Sequence, residues 1–502
     1  MRYGKALTAT VLGLLAFLMG CNSMQTSSAI LRFQQGEYEM ADSLCREALK
    51  INPNDGEAYF YLALSQSQLQ NYRDAYTNFR KAAELKPDRA AMADQNIESN
   101  FATAFNEGVE AANQEATELA IEWFTIATEA NPENPLGYTN LAKAYWSKSE
   151  RIQAIDRDEA ADLAARAIEN FDKGLELEND PQRKEETAIL LANVLANLYV
   201  NAIGDEGETY LTKYRDFTAE LPDFYGPHEA FGAVLFDKGI DQLNRRLQES
   251  TYHDNFVYAG EAYAKAADLR ESMEQTEFDP PRLAGTAYMY SKMYDKAAAY
   301  LNKAVQINPS DQQAWYFLEF SHYQAKDYDA AINAGVFLDE TIRTTEPDVF
   351  QILYSSYRDK ALACDEAGDA DCFAENRVLY EDAFVKYATY KGLPDTTPPR
   401  LVTRAERQQQ EQIERAIYDQ EGVAVLRGRI DGRFVKGVLI NKTGAELEYI
   451  ELTINLLDAN GEVVGETTGE LEMVPPNREV TFNAPFFESD VTDFEITEHF
   501  AE

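Results

Sequence analysis

The stretch Gly56–Arg89, GEAYFYLALSQSQLQNYRDAYTNFRKAAELKPDR, reads as two short helices joined by a tight turn and stopped by Pro87. The segment before it stops at Pro53, so the two prolines mark an interval of 34 residues. Ala63, Ala75 and Ala82 sit where two antiparallel helices must approach closely, and Tyr59, Leu62, Tyr72 and Phe79 supply the bulk around them. A hairpin of this size cannot bury its own apolar faces, so copies of it should recur and stack. Gly36, Tyr38, Ala41, Ala48 and Pro53 carry half of an earlier copy, and Gly108, Ala120, Phe124, Ala127 and Pro132 a later one, after an insertion of about ten residues near Met92–Asn100. Tyr138, Leu141, Ala142 and Tyr145 open a fourth whose second half, Ala167, Phe171 and Gly174, arrives roughly 13 residues late, as a longer loop or an extended helix. The fifth keeps only helical periodicity, and the sixth only its end at Ala259, Tyr263 and Ala266. Gly285, Tyr288, Tyr294, Ala297, Leu301, Ala304 and Pro309 give a clear seventh; Trp315, Leu318, Tyr328 and Ala331 a clear eighth; a weak ninth spans about Asp348–Lys391.

Residue types and period together resemble the tetratricopeptide repeat. The resemblance implies a mainly α protein, a right-handed α-solenoid over residues 29–391, whose concave face is lined by the first helix of each repeat and holds protein or peptide partners. Carried over position by position, the lining includes Phe60, Leu64, Phe105, Lys143, Trp146, Tyr290, Tyr316, Phe320 and Tyr323. An aromatic groove of that kind suits extended or helical peptides. The family's clamp for a C-terminal carboxylate needs several basic and asparagine side chains; here Asn140 and Lys143 stand alone.

At the start, Arg2 and Lys5 precede a largely apolar run, Ala6–Met19, too short to span a bilayer and suited to a signal peptide over residues 1–20. Leu18-Met19-Gly20-Cys21 resembles the bacterial lipobox, which implies acylation of Cys21 and a short lipidated tether over 21–28. By analogy with Gram-negative lipoproteins, the absence of aspartate at residue 22 implies the outer membrane, facing the periplasm.

The chain holds 86 acidic and 46 basic side chains, a balance of −40 that becomes −42 once Arg2 and Lys5 leave with the leader. Nucleic acid is excluded as a partner, because phosphate contacts need basic patches. The acidity serves either solvation, in a saline habitat above all, or selection of a cationic ligand. Of four cysteines, Cys45 falls at a core position, while Cys364 and Cys372 flank an expected turn and either form a disulfide in an oxidising compartment or remain free. The four histidines are scattered, and no metal, phosphate-loop or nucleophile-elbow motif is present, so we expect neither enzyme activity nor a cofactor or metal.

The helical pattern stops at Gly392-Leu-Pro-Asp-Thr-Thr-Pro-Pro399, and 392–420 reads as a linker with one polar helix, Arg400 to about Asp419. Residues 421–502 change to a period of two. Ile450, Leu452, Ile454 and Leu456 alternate with polar residues, and further strands fit Val423–Ile430, Phe434–Asn441, Glu470–Val474 and Arg478–Asn483, which predicts a small β-sandwich. Gly437, Asn441, Ile454-Asn-Leu-Leu-Asp458 and Gly461 are similar to the bacterial envelope domain named for its F-x-L-Y-D motif, with Leu456 and Asp458 matching. Arg427, Arg429, Arg433 and Lys436 gather in one hairpin, as a wet strand face or as a contact surface. The sequence thus predicts a membrane-anchored scaffold for protein partners, or else a fixed structural subunit of an outer-membrane assembly, secretion or cell-wall complex.

Overall fold

The computed structural model describes residues 23–408 and 416–502, in two compact units that divide between Ser321 and His322. Cys21 and the leader lie outside the described residues. In the first unit the helices come as packed pairs: α1 (Met24–Gln34) with α2 (Tyr38–Ile51), α3 (Gly56–Gln68) with α4 (Tyr72–Leu85), α5 (Ala90–Asn113) with α6 (Thr117–Ala130), and α7 (Pro135–Ile152) with α8 (Arg157–Leu177). They continue as α9 (Pro181–Asn201) with α10 (Glu206–Ala219), α11 (Gly226–Asn244) with α12 (Glu249–Ser272), and α13 (Asp279–Tyr290) with α14 (Tyr294–Ile307). The division between the units falls inside α15 (Gln312–Gln324).

One turn geometry recurs. The second residue before the second helix is left-handed at Gly36 (φ 77°), Gln70 (59°), Glu115 (58°), Lys292 (60°) and Lys326 (64°). Only the first is glycine, so the turn backbone is set by packing of the helices it joins rather than by its own residue type. Small residues face large ones within the hairpins, sixteen positions apart. A Cβ on Gly108 would stand 2.7 Å from the Phe124 ring, and one on Gly285 would stand 2.5 Å from Leu301. Ala63 and Phe79 share one buried cluster in the same relation.

The structure makes three expectations more specific. Residues 24–28, expected as part of a tether, are helical: α1 starts at Met24, because Ser23 caps it (Thr26 N to Ser23 Oγ, 3.0 Å) and the Thr26 hydroxyl donates to Asp55 at 2.7 Å, tying α1 to the start of α3. The extra residues of the third and fourth repeats form no loop; they lengthen α5, α7 and α8 to 24, 18 and 21 residues. The region of weakest signature, α9–α12, holds a large core of Leu191, Leu195, Leu211, Phe231, Leu235 and Phe256.

In the second unit α16 (Tyr328–Phe337) leads through a wide turn, Leu338–Ile342, to α17 (Pro347–Ala367) and α18 (Ala370–Lys391) around Phe350, Leu353, Tyr357 and Tyr380. The Tyr380 hydroxyl donates to the Pro399 carbonyl at 2.9 Å, which holds the outgoing chain. The single polar helix from Arg400 to Asp419 is corrected: 404–408 are helical, but Ala416–Gln420 is a strand, β1. Tyr418 lies in the core there and its hydroxyl meets His499 Nδ1 at 2.7 Å, so the side chain has a place only in an extended backbone.

Six more strands follow: β2 (Val423–Ile430), β3 (Phe434–Asn441), β4 (Leu447–Leu457), β5 (Val463–Val474), β6 (Glu479–Pro485) and β7 (Asp493–Ala501). They form two antiparallel sheets, ordered β1-β2-β3-β6 and β5-β4-β7, over a shared core of Val423, Val425, Leu439, Ile450, Leu452, Ile454, Leu456 and Phe482. Asp458 makes the β4–β5 turn by accepting from the Asn460 and Glu462 amides at 2.8 and 3.0 Å, with Gly461 at φ 79°. Asn441 is fully buried and donates to the carbonyls of Ala445 (2.6 Å) and Val474 (2.9 Å).

Candidate partner-binding surface

The first helices of the hairpins carry the side chains expected to meet a partner, and the structure sorts them. Phe60 is removed from the surface. It is 1 % exposed, packed with Phe79, Ala93 and Ile97, and covered by the Arg89 guanidinium 4.9 Å from its ring. The inserted residues before Phe101 cause this, since they bring Ala93 and Ile97 of α5 over the ring. Leu64 is half-buried against the same cluster. Phe105 is half-buried, stacked on Phe101 (5.3 Å between ring centres) and near Phe124 (5.7 Å).

Lys143 reaches solvent, yet loss of hydration beside its neighbours holds its ammonium below the usual lysine value, against the pull of Glu186. Trp146 is half-buried on the central core.

Tyr290 and Tyr316 belong to one aromatic strip. Tyr290 lies 4.9 Å from Phe256 in a stacked arrangement, 6.5 Å from Phe236 and 6.4 Å from Phe317; Tyr316 adjoins Phe317 at 5.7 Å. Tyr252 extends the strip behind Phe256 at 5.9 Å. The strip therefore crosses α11, α12, α13 and the first part of α15. Phe256 is fully buried and supports the half-buried rings from beneath. Sequence reasoning did not find Phe236, Tyr252 and Phe256, because the sixth hairpin shows few signature residues, with the spacing of Tyr252 and Phe256 by one helical turn as the available signal, and it passed over Phe317 beside Tyr316 in the clear eighth repeat.

The remaining two positions separate. Phe320 is half-buried, 6.0 Å from Tyr294. Tyr323 belongs to the second unit, where its hydroxyl donates to Asp359 at 3.0 Å.

A second feature lies between α10, α11 and α12. Leu211, Tyr214, Phe231, Tyr258, Arg215 and Lys265 border a cleft of about 450 Å³ with His228 in its wall. His228 Nδ1 lies 2.6 Å from the Tyr214 hydroxyl, and burial first, then the Lys265 charge, pushes the imidazole pKa down to about 4, so the ring is neutral. Glu261 and Thr218 also line the cleft, and the Glu261 charge acts on the Tyr214 hydroxyl, while the Tyr214–His228 pair is itself a buried hydrogen bond in a helix interface.

Cys364 and Cys372 are joined as a disulfide with Cα atoms 5.8 Å apart, across the turn from α17 to α18. Asp369 caps α18 there, accepting from the Cys372 amide at 2.9 Å. Cys45 is fully buried, and burial pushes its thiol up to about 12, so it is inert. Among the described residues no group of three or more His, Cys, Asp or Glu side chains is placed to hold a metal ion, and no helix is long and apolar enough to cross a membrane.

Comparison with known families now has geometry to meet. One tetratricopeptide repeat model matches residues 44–77, and a second matches residues 26–55 and 283–311. The chain carries tetratricopeptide repeats. The matched segments cover most of α1, all of α2 and α3 and the start of α4, and, further on, most of α13 and all of α14. Comparison with curated proteins gives no match. Among solved structures the array is similar to YrrB, described as a TPR protein with an unusual peptide-binding site: 16 % identity, 54 % of this chain and 93 % of that one, TM-score 0.27. It is also similar to the P58(IPK) TPR domain (12 % identity, 66 % and 96 % covered, TM-score 0.22). A third is the C-terminal part of a TPR repeat-containing protein from Cytophaga hutchinsonii (14 % identity, 58 % and 99 % covered, TM-score 0.29). Tetratricopeptide repeats point to a protein-binding scaffold.

Proposed function

We propose that this chain is a scaffold of the bacterial cell envelope, held by lipid on Cys21 to the outer membrane facing the periplasm, that binds protein or peptide partners and performs no catalytic step. The observation that carries the binding role is the aromatic strip of Phe236, Phe256, Tyr290, Phe317 and Tyr316. Half-buried rings backed by a fully buried one are already ordered, so a partner that covers them gains apolar burial with little loss of side-chain freedom. The rings succeed one another along adjacent helices, which suits an extended or helical segment.

The anchor and the compartment rest on other observations. The charged, apolar and Leu18-Met19-Gly20-Cys21 segments support lipidation, and the start of α1 at Met24 would bring the array within a few residues of the lipid. A disulfide between Cys364 and Cys372 is consistent with an oxidising compartment. The match of Leu456 and Asp458 to the F-x-L-Y-D pattern adds an envelope association: Leu456 is a core residue of β4 and Asp458 makes its turn.

The test is a crosslinking capture from intact cells, comparing the natural protein with the variant Tyr290→Ala, Tyr316→Ala, both checked by circular dichroism. Loss of one specific envelope protein from the variant supports the strip; an unchanged set of captured proteins refutes it. Mass measurement of the mature N-terminus tests the anchor separately, and an unmodified Cys21 removes it.

A further inference from the structure

The β-sandwich displays a feature that its fold does not need. Phe487 is 81 % exposed and Phe434 is 42 % exposed, while the neighbouring Phe486 is buried in the core. The two exposed rings belong to one end of the sheet β1-β2-β3-β6. Phe434 pairs with Pro485 across β3 and β6, the Phe486 amide donates to the Arg433 carbonyl at 3.1 Å, and the Arg433 guanidinium donates to the Phe487 carbonyl at 3.3 Å. Phe434 and Phe487 are therefore fixed near each other on a hydrogen-bonded frame.

The surrounding charge is unlike that of the rest of the domain. Beyond Tyr418 the chain has 18 acidic and six basic side chains, and four of the six basic ones fall within Arg427–Lys436. Arg427 is neutralised by Glu479, and Lys436 pairs with Asp431 at 2.7 Å while lying 5.7 Å from the Phe434 ring. Arg429 and Arg433 are exposed and, among the described residues, form no ion pair with a carboxylate. Arg429 is the cross-strand neighbour of Lys436, so the cations flank the aromatic pair. Glu488, which accepts from the Phe487 amide at 2.9 Å, is the nearby acidic group.

We propose that this tip, Phe434 and Phe487 between Arg429, Arg433 and Lys436, docks into the headgroup layer of an anionic phospholipid bilayer. Aromatic rings favour the depth between headgroups and acyl chains, and adjacent cations add attraction to anionic lipid. A protein partner would be served as well by a neutral aromatic patch; two guanidinium groups with no carboxylate in ion-pair contact, Arg429 sharing only the longer-range field of Asp431, select an anionic surface in so acidic a chain. The same acidity repels the body of the domain from that surface, so the sandwich approaches tip first. This contact does not depend on lipid at Cys21 or on the aromatic strip of the array, and it would give a lipid-anchored chain a second, reversible hold.

The experiment is vesicle co-sedimentation of the chain from Asn22 onward, which retains every described residue and lacks both leader and lipid site. The vesicles contain either 30 mol % phosphatidylglycerol in phosphatidylcholine or phosphatidylcholine alone. We expect binding to the anionic vesicles, at least tenfold weaker on phosphatidylcholine. Phe434→Ala with Phe487→Ala is expected to weaken it by at least tenfold, and Arg429→Gln with Arg433→Gln by roughly fivefold per cation. The variant Phe487→Trp should show a blue-shifted, strengthened emission band when anionic vesicles are added. Absence of binding, binding unchanged by the aromatic pair, or emission unchanged by vesicles each overturns the proposal. All four substituted side chains are exposed, and an unchanged urea midpoint confirms that each variant is folded.

Discussion

Two first helices of the repeats, α13 and α15, carry opposite kinds of residue at equivalent positions, a glycine and a glutamate. In α13–α14 the first helix supplies the small residue, Gly285, and the second the large one, Leu301, with no space for even a Cβ between them. Thirty-four residues on, the position of Gly285 is held by Glu319, which is also buried. The period thus fixes which position is buried. Polarity is a different matter. Glu319 is fully buried, neither carboxyl oxygen has a hydrogen-bond partner among the described residues, and desolvation raises its pKa well above the ordinary carboxylate value. The buried position is kept there, and its chemistry is not.

The comparison can be broken most strongly at Leu301, which is fully buried. Leu301→Ala should destabilise the first unit by about 2–5 kcal/mol in urea unfolding, through lost burial and a residual cavity. Adding Gly285→Val to that variant places new side-chain volume where Leu301 was and should recover part of the loss. A double variant weaker than the sum of its parts would show that the volume is not exchangeable. Gly285→Ala alone should cost about 1–3 kcal/mol, since the new methyl group meets both Leu301 and the Ala297 carbonyl, 3.0 Å away.

At Glu319 the expected effect is a dependence on pH. The folded pKa is raised, so the folded chain binds this proton more tightly than the unfolded one. Stability from this group is complete below the unfolded value of about 4.3 and declines as pH rises toward the raised folded value. Glu319→Gln should remove that slope, and Glu319→Leu should both remove it and stabilise the protein at neutral pH by about 1–3 kcal/mol. An identical slope in all three forms would mean that another group titrates.

The smallest effect concerns the shared turn. Lys292→Gly and Lys326→Gly relieve the same left-handed backbone and should each stabilise by at most about 1 kcal/mol. The gain at Lys292 should be the smaller, because its ammonium pairs with Glu249 at 2.5 Å. Equal gains would show that this exposed pair contributes nothing measurable.

The hairpins with alternating small and large residues were legible because helix contact at close range admits few residue types, as at Ala63, Gly108 and Gly285. The middle hairpins were not: Leu191, Leu195, Phe231 and Phe256 fill their core with ordinary apolar residues at ordinary helical spacing. The candidate surface was read less well than the fold. Phe60 occupies a lining position in the repeat pattern, but the insertion that lengthens α5 covers it, and no local pattern announces a contact made from another helix. The strand at Tyr418 was hidden for a similar reason, since its partners Val423–Leu426 and His499 are set by sheet pairing and not by its neighbours in sequence.

The unequal helix lengths carry a consequence for how the chain finds its own order. Hairpins with the same turn and the same contact positions are nearly interchangeable, and a growing array of such units risks joining a hairpin to the wrong neighbour. Helices of 24, 18 and 21 residues at α5, α7 and α8, between neighbours of 14 or fewer in α4 and α6, give successive interfaces different extents. A mispaired hairpin would leave a long apolar face uncovered or a short one overrun. The insertions thereby act as address labels, assigning each repeat one place in the stack during folding.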